Sequence, residues 1–202
     1  MGLKNGMGSK IYLTIREGKI AHKQGDAYVL YDSFEGYIVG MSTREGIYGT
    51  DLCLDLMDNE KVYQLQIRMK GVEPNSKQTS YFIAFAHCCP SIDSSKRVEF
   101  IPSLKIVDDK KRSALFIKQN GQILKWAYKV GQDGVPSPEE LKNKKGEVIS
   151  TDWSEVEAYR VDRVNEFASK LIPFEPVHDI VADHAMNPYV ESPQDDDGDL
   201  PF

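Results

Sequence analysis

Apolar and polar residues alternate over much of the first two-thirds of the chain, and this alternation limits the fold more than any other feature. The clearest case is the segment 61–70. From Tyr63 onward, apolar side chains at odd positions alternate with polar ones at even positions: Tyr63, Gln64, Leu65, Gln66, Ile67, Arg68, Met69 and Lys70. Successive side chains of a strand point to opposite faces, so one face is predicted to be buried and the other to meet solvent. The pattern predicts a mainly β protein.

Similar patterns predict further strands at 11–16, 28–31, 34–44, 49–57, 97–107, 112–118 and 122–129. The strand at 11–16 runs into a turn at Glu17-Gly18 and a second short strand, which predicts an N-terminal hairpin. Gly36 and Gly40 lie inside the segment 34–44. Because glycines inside a strand often mark a bulge or a bend, this strand is predicted to be bent.

Two segments have the spacing of a helix instead. One face of the first would carry Phe82, Phe85, Ala86 and Cys89. Asn75 or Ser76 would cap its start. In the second, an apolar stripe runs from Trp153 to Leu171, and Thr151 or Asp152 would cap it.

Three strands, a helix and two or three further strands follow one another in the order of the OB-fold, a small and partly open five-stranded barrel. A barrel of few strands needs one bent strand that serves both halves, and the segment 34–44 fits that role. The alternative is a β-sandwich, which has less use for a helix between its third and fourth strands. We therefore predict a mainly β OB-fold with a helix between strands 3 and 4, an N-terminal hairpin and a C-terminal helix.

Three parts are predicted along the chain: an OB-fold domain with its hairpin at 1–130, a polar linker and amphipathic helix at 131–172, and a disordered acidic tail at 173–202. The tail has eight acidic residues and no Lys or Arg, so all 25 basic residues and the remaining 23 acidic ones precede it. Its composition cannot bury enough apolar surface to offset chain entropy. A mildly basic body with an acidic end suggests nucleic-acid binding, and a solubilising tail is the alternative.

The last residues carry the most specific motif: Asp195, Asp196, Asp197, Gly198, Asp199, Leu200, Pro201 and Phe202. This resembles the C-terminal tip of the bacterial single-stranded DNA-binding protein family, in which an acidic run closes on a hydrophobic residue, Pro and Phe. The body carries no motif of that family, so the resemblance favours a divergent, phage-type member. It implies that the tip recruits replication, recombination and repair proteins. The terminal ring and carboxylate would enter a basic-rimmed apolar pocket of the partner.

Binding a single strand without sequence preference needs a cationic groove with aromatic faces for stacking. Alternation places cations and aromatic rings on the polar faces of the predicted strands, where they are candidates for DNA contact: Tyr12, Arg16, Arg44, Arg68, Lys70, Lys105, Arg112, Phe116, Lys118, Lys125 and Trp126. Within the strand at 112–118, Arg112, Phe116 and Lys118 share one face, opposite Leu115 and Ile117. In the strand at 122–129, either Lys125 or Trp126 faces the DNA, and the pattern leaves this open.

No catalytic constellation or cofactor motif is recognisable, and Cys53, Cys88 and Cys89 have neither metal-ligand nor disulfide-framework spacing. We expect buried thiols, no metal, no cofactor and no enzymatic activity. The chain has no membrane-length apolar run, and a cytoplasmic location is expected, in the bacterial host if the protein is phage-encoded. Single-stranded DNA is the expected partner. Duplex binding and homo-oligomer formation are left open, and a protein-interaction adaptor is the alternative function.

Overall fold

Nine strands form one sheet in the computed structural model, which describes residues 10–73 and 76–171. In chain order they are β1 (Ile11–Arg16), β2 (Lys19–Gln24), β3 (Ala27–Tyr31), β4 (Phe34–Gly46), β5 (Gly49–Asp58), β6 (Lys61–Lys70), β7 (Val98–Val107), β8 (Lys110–Gln119) and β9 (Gln122–Ile123). Across the sheet the order is β3-β2-β1-β6-β5-β4-β7-β8-β9. The predicted mainly β class and the N-terminal hairpin are confirmed.

The sheet is not closed, so the predicted five-stranded barrel is not confirmed. Closing a barrel from β4 to β8 would require β6 to pair with β8. In the structure that edge of β6 pairs with β1 instead, in parallel, with Ile11 opposite Tyr63 and Thr14 opposite Gln66. The N-terminal hairpin therefore occupies the position where the barrel would close, and β3 and β9 remain as the two edges.

Strand β4 is shared between two parts of the sheet. Its first residues, Phe34–Gly36, pair with β7, and the rest of the strand pairs with β5. The register with β5 shifts between Ile38 and Gly40, which confirms the irregularity predicted at Gly40. Strand β4 therefore pairs with both β5 and β7, but the closed barrel for which a bent strand was predicted is not confirmed.

The first helix, α1 (Ser80–Cys88), starts later than predicted. Its cap is Thr79, whose Oγ1 accepts a hydrogen bond from Phe82 N at 3.3 Å, and not Asn75 or Ser76. An isolated bridge between Lys70 and Gln78 keeps the preceding chain extended, so the helix cannot begin earlier. A 3₁₀ turn (Cys89–Ser91) follows the helix.

The region predicted as a linker contains structure of its own. A hairpin of β10 (Glu139–Lys142) and β11 (Val148–Asp152) forms a separate two-stranded sheet. Conversely, the strand predicted at 122–129 ends at Ile123. Strand β10 was not predicted, because its four side chains are all exposed and therefore show no alternation of apolar and polar residues.

The second helix, α2 (Ser154–Lys170), packs on the body of the same chain. The cap residue is Trp153, and not Thr151 or Asp152 as predicted. Asp152 lies one residue before the cap, and its Oδ1 accepts a hydrogen bond at 2.9 Å from the N–H of Ser154, the first residue of the helix. Its buried side chains are Val156, Arg160, Val164 and Phe167. The Phe167 ring meets Phe85 of α1 edge-on at 6.4 Å. The apolar stripe predicted here is therefore a packing face for α1. No helix within 10–73 or 76–171 could span a bilayer.

The turn between β1 and β2 packs tightly against β7. Gly18 has φ +73°, and a Cβ atom there would lie 2.8 Å from Leu104 Cβ and 2.9 Å from Ser103 C. A side chain at this position is disfavoured by the positive φ and is also excluded by these short distances. The hairpin thus contacts the far part of the sheet by packing and not by ladder hydrogen bonds.

Candidate nucleic-acid interface

One surface of the sheet, which we call the outer face, carries most of the predicted DNA-contacting residues. Across the sheet, Gln64 of β6 lies between Tyr12 of β1 and Asp55 of β5. In the same way, Gln66 lies between Thr14 and Cys53. The opposite surface holds the core, which includes Leu13, Leu52, Leu54, Leu56, Leu65 and Ile67. The even-numbered polar residues of β6 lie on the outer face, as the alternation predicted.

On β1 the outer face exposes an aromatic ring and a cation. Tyr12 is 56% exposed. The Arg16 guanidinium carbon lies 4.0 Å from the centre of the Tyr28 ring, in a cation–π contact. Sequence reasoning missed Tyr28 as a site residue, although the predicted strand at 28–31 placed an aromatic residue there. Arg16 makes no ion pair with the described residues, so its charge is available to a phosphate.

Arg44 and Arg68 converge on one carboxylate. Asp51 is buried and accepts from Arg68 Nε at 2.5 Å and from Arg44 Nη2 at 3.4 Å. Arg68 Nη1 also donates to the carbonyl of Tyr48 in the turn between β4 and β5, at 2.5 Å. These contacts hold the turn and neutralise part of the positive charge. Both arginines lie on the predicted polar face, and they also stabilise the turn between β4 and β5.

Lys70 and Lys118 also have acidic partners. Lys70 Nζ lies 3.4 Å from Glu157 of α2, and Lys118 Nζ lies 3.5 Å from Glu99 of β7. Both pairs are partly exposed, so each contributes little net stability, and a phosphate can compete for the ammonium group.

The hairpin of β7 and β8 presents the second cationic area of the outer face. Lys105 lies opposite Arg112, and Ile101 lies opposite Phe116. Phe116 is 43% exposed, whereas its neighbours Leu115 and Ile117 are buried. The predicted face of β8 is thereby confirmed. Neither Lys105 nor Arg112 forms an ion pair within the part of the chain that the structure describes.

Lys125 and Trp126 lie apart from the strand ladders, because β9 ends before them. The Trp126 ring lies 4.5 Å from His87 of α1 and is still 58% exposed. Ala127 N donates to His87 O at 2.8 Å, which fixes this segment on the helix. The alternation that would turn either Lys125 or Trp126 to the DNA is absent, because neither residue is in a strand, and the structure does not group them with the other candidates.

His87 is buried and contacts Trp126, Tyr128 and Arg160, a cluster that sequence reasoning missed. Its ring also stacks on Tyr128 at 4.4 Å. Nδ1 lies 3.1 Å from Tyr128 O, and Nε2 faces Arg160 Nε at 3.4 Å. Since a guanidinium only donates, Nε2 must accept, and the proton of the neutral ring is on Nδ1. Burial lowers the pKa of His87, and the charge of Arg160 lowers it further.

The three cysteines are buried and unpaired, as expected. Burial raises the pKa of Cys88 to about 11 and that of Cys89 to about 12, and it raises the pKa of Cys53 as well. Such thiols react slowly, because the thiolate is the reactive form. Among residues 10–73 and 76–171, no group of three or more His, Cys, Asp and Glu side chains could hold a metal ion.

The predicted partner-binding tip, with its four aspartates and Leu200, Pro201 and Phe202, lies outside the described residues. Comparison of the chain with protein-family models, curated proteins and solved structures gives no match.

Proposed function

We propose that this protein binds single-stranded DNA without strong sequence preference and has no enzymatic activity. The observation that carries the proposal is the outer face, where exposed aromatic rings lie in the same strands as cations that no described acid neutralises. On β1 these are Tyr12 and Arg16, and on β8 they are Phe116 and Arg112. Rings accept any base by stacking, and cations follow the phosphates.

The element order supports the same proposal. From β4 to β8 the chain runs through three strands, α1 and two strands, with a bulge in the first strand. We propose an OB-like fold that is opened by insertion of the N-terminal hairpin beside β6. OB-folds bind oligonucleotides on the face of their second and third strands, which correspond here to β5 and β6.

The tail adds a proposed second activity in the cytoplasm. Asp195, Asp196, Asp197 and Asp199 would accelerate encounter with a basic partner surface, and Phe202 would occupy its pocket. Replication, recombination and repair proteins are the proposed partners.

A fluorescence titration with labelled oligo-dT at several salt concentrations tests DNA binding. The affinity should fall steeply as salt rises, since phosphate contacts release counterions. Arg112→Gln should reduce the slope of log K against log salt by about 0.7, the value for one contact with a single strand. Lys144→Gln, an exposed lysine in the turn between β10 and β11, is the matched control and should leave the slope unchanged.

Stacking is tested by Phe116→Ala and Tyr12→Ala, each of which should weaken binding by about 1–3 kcal/mol. Absence of binding at low salt would end the proposal and favour the adaptor alternative. If duplex oligonucleotides compete with labelled oligo-dT as well as single-stranded ones do, the proposed preference for single-stranded DNA is wrong.

A further inference from the structure

Strand β3 is an edge strand with apolar side chains on both faces. It forms one edge of the nine-stranded sheet, and within the described residues it pairs only with β2. All five of its residues are exposed, and Tyr28, Val29, Leu30 and Tyr31 are between 37% and 46% exposed. Natural edge strands usually carry charges, prolines or bulges that prevent pairing with another chain. Residues 27–31 have none of these.

The main chain of β3 has hydrogen-bonding groups directed to the free edge. Gln24 lies opposite Ala27 across a two-residue turn at Gly25 and Asp26. Such a turn is closed by a hydrogen-bonded pair, and the pairs alternate along an antiparallel ladder. The N–H and C=O groups of Ala27, Val29 and Tyr31 therefore point to β2, and those of Tyr28 and Leu30 point outward.

This arrangement is complementary to itself. If a second β3 runs antiparallel with Val29 opposite Val29, each outward pair of Tyr28 faces the outward pair of Leu30 in the other copy. Four main-chain hydrogen bonds then form, two on each side of the two-fold axis. On one face Tyr28 packs beside Leu30, and on the other Ala27 makes room for Tyr31, so each ring meets a smaller side chain.

We infer that two copies of this chain associate through β3 in this register, with a two-fold axis at Val29. The interaction joins two nine-stranded sheets into one continuous sheet. It does not rest on the proposed DNA binding, although it involves Tyr28, whose ring contacts Arg16. A five-residue edge is small for a protein interface, so the association should be weak, with a dissociation constant on the order of 10 µM or higher.

The aspartates that flank β3 provide a further test of this register. Asp26 of one copy comes opposite Asp32 of the other, and Asp32 is ion-paired with Lys19 of its own chain. Because two aspartates face each other at each end, Asp26→Asn should strengthen the association several-fold. A hetero-partner strand with no aspartate at that place would not produce this gain.

Association is measured by sedimentation equilibrium of the full chain from about 1 to 200 µM, a range that brackets the expected weak association. Val29→Lys places two ammonium groups against each other on the axis and should abolish the dimer. Ile149→Lys changes an exposed apolar residue of β11 in the same way and should leave it intact. A full chain that stays monomeric throughout overturns the inference, as does a dimer that Val29→Lys does not weaken.

Cross-linking tests the register itself. Val29 would form a non-hydrogen-bonded pair with about 4.5 Å between Cα atoms, which suits a disulfide. Val29→Cys should therefore form a disulfide dimer with oxidised glutathione much faster than Val148→Cys, an exposed control in β11. The native cysteines are buried and should not interfere. If Val29→Cys cross-links no faster than the control while Val29→Lys still prevents association, another register or another occupant uses this edge, and the inference is wrong.

Discussion

His87 illustrates how one buried residue links separate parts of the chain. It lies on α1, its ring stacks on Tyr128 and contacts Trp126 at a tilt, and its Nε2 faces Arg160 of α2. Burial and the contact of Nε2 with Arg160 favour the neutral ring. Protonation would remove the acceptor and place a second positive charge beside a buried guanidinium.

This arrangement predicts a pH-dependent stability. Because the pKa of His87 in the folded protein is below its usual value of 6.5, the unfolded chain takes up the proton first as the pH falls. The free energy of unfolding should decrease as the pH is lowered below about 6.5, by at most about 1.4 kcal/mol per pH unit, and should stop decreasing at the lower folded-state pKa. Urea denaturation between pH 5 and 8 measures this, and His87→Gln should flatten the slope. His22→Gln is the control, and an unchanged slope in His87→Gln would contradict the assignment.

At the scale of elements, period-two alternation predicted the strands well where one face is buried. β6 has the predicted bounds, and β5 and β8 agree within a few residues, because Leu52, Leu54, Leu65 and Ile67 define the core face. The exposed strand β10 could not be predicted in this way. β10 has no buried residue. Its pairing with β11 depends on main-chain hydrogen bonds, which leave no pattern in the side chains.

The candidate site was predictable to a similar degree. The face of Arg112, Phe116 and Lys118 follows from local alternation alone. The ion pairs of Arg68 with Asp51 and of Lys70 with Glu157 join residues 17 and 87 positions apart, so they depend on the tertiary fold. The parallel pairing of β1 with β6, which opens the sheet, is likewise a long-range contact without a local sequence signal.

Two glycines with similar torsion angles test the contact between the N-terminal hairpin and β7. Gly18 and Gly25 have φ +73° and +62°, but a Cβ at Gly25 would meet no atom within 4 Å. Gly25→Ala should cost about 1–2 kcal/mol, the penalty for an L-residue in the left-handed region. Gly18→Ala should cost clearly more, since its methyl group also collides with Leu104. Thermal denaturation compares the two variants. Equal losses of stability would show that the hairpin does not pack against β7 in solution.

At the scale of the whole molecule, charge is divided between body and tail. The chain has a net charge of −6, whereas residues 1–172 have 25 basic and 23 acidic side chains. The acidic segment lowers the attraction of the whole protein for a polyanion, and under the proposed function it would compete with DNA for the outer face.

Deletion of Asp195–Phe202 should therefore tighten binding of oligo-dT, most at low salt, and should abolish capture of partner proteins. The same titration measures the first effect, and a pull-down with the full chain as reference measures the second. Weaker DNA binding after the deletion would show that the tail does not compete.

The sharing of β4 has a consequence for how the molecule opens. Among the described residues, three pairs join β4 to β7, namely Phe34 with Phe100, Glu35 with Glu99 and Gly36 with Val98. Hydrogen bonds across so short a ladder cannot hold the two parts of the sheet together on their own, so cohesion also depends on packing. The turn at Gly18 packs against Leu104 of β7, and α1 buries Phe82 and Phe85 fully in the common core. Loosening of α1 would leave β7, β8 and β9 attached by little more than this short ladder and the turn at Gly18. Hydrogen–deuterium exchange should then show their amides exchanging before those between β5 and β6.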